Sequence, residues 1–79
     1  MRLDKFLKLS RLIKRRTVAN KLCDAKKVSI NGKVAKASTT VKVNDIINLN
    51  VGPHEINVRV LKLLEITTKS NASEMYETI

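Results

Sequence analysis

Eleven cations carry the chemistry open to this chain: Arg2, Lys5, Lys8, Arg11, Lys14, Arg15, Arg16, Lys26, Lys27, Lys33 and Lys36. With Lys21 they make up twelve of its sixteen Lys and Arg residues, against only Asp4 and Asp24 in the same stretch. Residues 1–36 therefore hold a net charge of +10, and residues 37–79 one of −1. Guanidinium and ammonium groups at this density recognise phosphate, and a field so one-sided points first to nucleic acid. Arg2, Lys5 and Lys8 recur every third residue, which puts them roughly on one helix face. Lys14-Arg15-Arg16 stands where a second helix should start, and positive charge there opposes the helix macrodipole by about 0.3–1 kcal/mol per charge. A bound phosphate would relieve that opposition, since free N–H groups and guanidinium forks would converge on it. The plainer alternative is a solvated charged turn. Arg2, Lys5, Lys8, Arg11, Lys14, Arg15, Arg16, Lys33 and Lys36 are the candidate RNA-binding residues, and packing of the two helices would join them into one surface. Lys69 lies outside this basic half and is expected to contribute little.

Other chemistries lack their residues. No carboxylate pair suggests an acid–base couple, and no Ser or Cys has a recognisable base beside it. His54 belongs to a Gly-Pro-His turn, where exposure is the ordinary expectation. Gly32 and Gly52 are too far apart to form a phosphate loop. Cys23 and His54 do not make a zinc set, and a lone Cys23 cannot form an internal disulfide; a small buried apolar residue is its expected role. No cofactor, metal or catalytic centre is implied, so the chain reads as a binding module rather than an enzyme. Phe6 and Tyr76 are the only aromatics, which disfavours recognition by stacked bases and leaves phosphate contacts and RNA shape. Every apolar stretch is interrupted by charge well short of the ~18 residues that span a bilayer, and no secretory signal is evident. The expected location is the cytoplasm, with no membrane partner.

These side chains need a scaffold, and 79 residues allow one small domain with a compact core. Leu3, Phe6 and Leu7 give residues 2–9 an apolar helical face. Ser10 closes that helix, and Leu12-Ile13 should plug the connection into the core. A second helix is expected from about Lys14–Arg16 to Ala25, burying Val18 and Leu22 with Ala19 and Ala25 beside them. The period then changes to alternation. Val28 and Ile30, the pair Asn31-Gly32 and Val34 form a hairpin signal. Turns are expected at Asn44-Asp45 and Gly52-Pro53-His54, separating apolar runs at 46–51 and 56–63. Residues 67–79 turn polar; Ser73 is a possible cap for a short terminal turn that should fray. The expectation is an α+β domain over residues 1–64, with two N-terminal helices on a small, mainly antiparallel sheet of about four strands, and a short tail over 65–79.

The order "RLDKFL", "SRLIKRRTVANKL" and "KKVSINGKVAKAS" resembles the S-four RNA-binding domain, or alpha-L motif, from Arg2 to about Leu63. Its opening is most similar to the small, free-standing branch that serves bacterial ribosome-associated quality control. That resemblance implies binding to obstructed large ribosomal subunits, with contacts to large-subunit ribosomal RNA and to P-site peptidyl-tRNA. RqcH would be the functional partner, adding alanine tails without a template, and a monomer is the simplest state. It also assigns RNA contacts to Arg2, Arg15 and Arg16, with Lys14 in support; Asp4 has a plainer reading beside this, orienting a neighbouring Arg or capping the helix. The alternatives are a heat-shock-type S-four protein that recycles stalled large subunits and a generic RNA-binding module. Two positions depart from the family pattern: Lys26 and Asn44 stand where Gly is common, and each would have to adopt a left-handed backbone.

Overall fold

A computed structural model describes residues 1–79. Two helices, α1 (Leu3–Leu9) and α2 (Arg16–Asp24), pack on one another and precede five strands: β1 (Val28–Ile30), β2 (Lys33–Val34), β3 (Ile46–Val51), β4 (His54–Val60) and β5 (Tyr76–Thr78). The strands form one antiparallel sheet in the order β2-β1-β3-β4-β5. The α+β expectation holds.

The entry to α1 is fastened by the backbone. Met1 O accepts from Val41 N, and Leu3 N and Asp4 N donate to Thr39 O and Ala37 O at 2.8 and 3.1 Å. Two N–H groups that a helix start would leave open are thereby satisfied by the segment after β2. Ser10 closes the helix as expected. It is buried, and its hydroxyl donates to Leu7 O at 3.2 Å. The chain then reverses through Arg11, whose φ is +62°, and inserts Ile13 into the core.

The burial of α2 differs from the expected stripe. Ala19 and Cys23 are its buried residues, Leu22 is half-buried, and Val18 is 42% exposed. Small side chains on the inward face let α2 approach α1 closely, and Val18 is left one position round the helix. Burial holds the Cys23 thiol above its ordinary pKa, with Asp4 and Asp24 adding to the effect.

Asn31-Gly32 forms the two-residue β1–β2 loop, with φ of +51° and +83° as a type I′ turn requires. Lys26 and Asn44 adopt the left-handed conformation anticipated for them, at φ +61° and +77°. Gly52-Pro53 connects β3 to β4, so the strand already begins at His54. Along this hairpin Ile47, Leu49, Val58 and Val60 face the core, while Asn48, Asn50 and Asn57 form a hydrogen-bonded row on the other face.

The C-terminal stretch is the main correction. Residues 72–75 form a 3-10 turn that opens at Asn71 rather than Ser73, and β5 pairs with β4 from Val60↔Tyr76 to Val58↔Thr78. Met75 is fully buried, and its carbonyl accepts from Leu61 N and Lys62 N. A single large apolar side chain in the core, plus ladder hydrogen bonds, anchors what had been expected to fray.

Candidate nucleic-acid interface

Asp4 organises the first part of the basic surface. Its carboxylate is 1% exposed and lies in the first turn of α1, where negative charge complements the helix dipole. Arg2 Nε and Nη2 donate to its two oxygens at 3.2 and 3.3 Å. Arg16 reaches it from α2, with Nη2 at 3.3 Å and Nε at 3.2 Å. Asn20, one turn further along α2, donates at 3.0 Å, and Lys5 N donates at 2.8 Å. Burial alone would raise the carboxyl pKa. The hydrogen bonds from Arg16, Arg2, Asn20 and the Lys5 amide outweigh it and bring the value from 3.8 down to about 2.

Both guanidiniums remain about half exposed while they hold Asp4. Each keeps N–H donors free for a second partner. Two long, flexible side chains, one from the N-cap of α1 and one from α2, are thus locked beside each other, their charges only partly cancelled by one carboxylate. The expected orienting role of Asp4 is what the geometry displays, and Asn20, which carries no charge to flag it, completes the clamp.

Arg2 also lines a groove of about 450 Å³ together with Lys26, Lys36, Asp24 and small residues of the 34–38 segment. The left-handed turn at Lys26 and the chain leaving β2 form its walls. A second depression, of about 580 Å³, is lined by Lys8, Arg11, Lys14 and Lys69 with Leu9 and Thr67. The two share no residue. Arg2 precedes α1 and Lys8 lies in its last turn, so at 1.5 Å per residue they sit at opposite ends of the helix, roughly 10 Å apart along its axis.

The candidate residues are thus distributed over two depressions along α1. Within Lys14-Arg15-Arg16, Arg16 turns to Asp4, while Lys14 lines the second depression and also shares a shallow hollow with Arg15, the N-cap of α2, and with Leu12, Ile13 and Val18. Lys5 is paired with Glu65, holding that carboxyl below its usual pKa, and Lys33, on the edge strand β2, lines neither depression. Lys69, set aside on sequence position, stands among Lys8, Arg11 and Lys14. Only chain folding over more than fifty residues brings it there, and no local pattern announces it.

The chain's likeness to known proteins agrees with this architecture. Residues 1–47 match the S4 domain family. An RQC P-site tRNA stabilizing factor of Streptococcus pneumoniae is 48% identical over 79 residues, covering 100% of this chain and 90% of that protein. A protein of the same name from Bacillus subtilis is 50% identical over 76 residues, covering 96% and 88%. Among solved structures, heat shock protein 15 of Vibrio cholerae, described as trimeric, superposes with a TM-score of 0.92 at 30% identity, over 100% of this chain and 81% of that one. The solution structure of a hypothetical protein gives a TM-score of 0.85 at 32% identity, over 100% and 96%.

Proposed function

Because the chain belongs to the S4 domain family and to the group of RQC P-site tRNA stabilizing factors within it, we propose that it acts without catalysis, as an RNA clamp on obstructed large ribosomal subunits. In this reading it contacts large-subunit ribosomal RNA and P-site peptidyl-tRNA in the cytoplasm, and supports RqcH-dependent alanine tailing. The observation that carries the reading is the Arg2–Asp4–Arg16 cluster beside the Lys26 and Lys36 groove. Two guanidiniums already held in place lose little freedom on meeting phosphate, so they favour a defined RNA geometry over loose charge attraction. Both basic depressions lie on one copy of the chain, so a monomer suffices.

Sedimentation of the tagged protein in cell extract tests this. Co-migration with large subunits bearing peptidyl-tRNA is expected, together with loss of alanine tailing in Arg2→Ala and Arg16→Ala variants. On purified RNA, Arg16→Ala should lower the salt slope by about one unit if it meets one phosphate. Unchanged binding across the salt series would return Arg16 to a purely structural role. The likeness to heat shock protein 15 supports a second reading, recycling of stalled large subunits independently of RqcH. Retention of subunit binding and activity in cells lacking RqcH would favour that one.

A further inference from the structure

We propose that the depression formed by Lys8, Arg11, Lys14 and Lys69 is a second phosphate site, which grips an RNA backbone at the far end of α1 from the Arg2–Arg16 cluster. The inference rests on the RNA-binding reading above and adds to it a wall supplied by the C-terminal half of the chain.

None of the four cations is in an ion pair, and no carboxylate lines the depression. Elsewhere in the C-terminal half Glu77 pairs with Arg59 and Glu74 with Lys62, so neither acid reaches the depression. Glu65, the acid nearest Lys69 in sequence, is taken by Lys5. Nor do the cations serve the C-terminal carbonyls of α1. Phe6 O accepts from Ser10 N, Leu7 O from Ile13 N and the Ser10 hydroxyl, Lys8 O from Arg11 N, and Leu9 O from the Thr67 hydroxyl at 2.8 Å. A helix terminus carries roughly half a charge, too little to balance four cations. The four charges are therefore open to an anion from outside the chain.

Two details show that the site is built. Thr67 fastens the 67–69 segment to the end of α1 through Leu9, which sets Lys69 over the depression. Arg11 occupies a left-handed backbone position, φ +62°, where glycine would be free of strain. Leu9 is the one hydrophobic residue of the lining, so apolar side chains of a peptide would find little to pack against. Phosphodiesters need only the charges and donors present.

The test measures binding of an unmodified tRNA transcript and of purified large subunits across a salt series. Lys69→Ala should lower the salt slope by about 0.7–0.9, the value for one phosphate, and Lys69→Arg should restore it. Arg11→Gly, which the backbone accommodates, should do the same as Lys69→Ala with the fold intact. Lys62→Ala, paired with Glu74 outside the depression, serves as the control and should leave the slope unchanged. If Lys69→Ala and Arg11→Gly match the wild type while Arg16→Ala loses its unit, the second site is refuted and the first stands. If the wild type binds neither RNA, both readings fall. Amide shifts of Lys8, Arg11, Lys14 and Lys69 induced by inorganic phosphate but not by tRNA would assign the depression to a free anion and overturn the proposal.

Discussion

Replacing Asp4 by Asn separates charge from shape at the centre of the clamp. The folded carboxyl titrates at about 2 instead of 3.8, a downward shift of just under two units, worth about 2 kcal/mol. A depressed pKa means the stabilisation is complete above about pH 4 and is lost as pH falls through about 2. Asn keeps the volume and one acceptor but not the charge, so Asp4→Asn should cost about 2 kcal/mol at neutral pH, or roughly 8–16 °C in Tm for a domain this small. Urea unfolding by circular dichroism at pH 7, 4, 3 and 2.5 measures it. The gap between wild type and variant should close toward the acid end. An Asn variant as stable as wild type at pH 7, or a gap that persists unchanged at pH 2.5, would refute the assignment. RNA binding gives an independent readout. The variant gains one positive charge, which by itself strengthens attraction to phosphate, but Arg2 and Arg16 lose their anchor. Ordering two such side chains costs about 0.5–1.5 kcal/mol each, more than a single screened charge returns, so affinity should fall about tenfold. Tighter binding would mean that the clamp positions nothing.

Lys26→Gly removes a side chain from a left-handed position, φ +61°. It should leave stability unchanged or raised by up to about 1 kcal/mol in chemical denaturation, while RNA affinity declines through loss of one groove cation. Met75→Ala should cost about 2–5 kcal/mol, because the side chain is fully buried. Hydrogen exchange in that variant should accelerate first at Tyr76–Thr78 and at their β4 partners, since Met75 joins that strand to the core. Equal protection of β5 in both proteins would show that the ladder alone retains it.

Local features were legible in the sequence because their physics is local. Asn31-Gly32 announced its hairpin through the positive φ that both residues tolerate, and Asp4 was readable as an orienter of a nearby Arg or a helix cap, of which the structure shows the first. Lys26 and Asn44 were readable as left-handed residues from the glycines they replace. Features set by distant parts of the chain were not legible. Val18 and Ala19 are neighbours on α2, and only the direction of approach of α1 decides that alanine faces in. The polar run 67–74 hid the insertion of Met75. Lys14, Arg15 and Arg16 are adjacent in sequence, yet Asp4 draws Arg16 one way while the reversal at Arg11 leaves Lys14 beside Lys69. Charge density pointed to the class of partner; that the cations line two separate depressions required the tertiary fold.

The four non-glycine residues with positive φ tie these observations together. Asn31 and Asn44 are residues that tolerate such turns, but Arg11 and Lys26 are not. Each costs the fold about 1–2 kcal/mol relative to an unstrained residue, and a 79-residue domain has in total only roughly 4–12 kcal/mol of stability. If stability alone decided the residue, glycine would serve at both turns. Arg11 lines the Lys8–Lys14–Lys69 depression, and Lys26 lines the groove beside Arg2. The two strained cations thus fall one in each basic depression, at opposite ends of α1. That both strained positions carry a cation lining a depression agrees with the proposal of two phosphate-holding points.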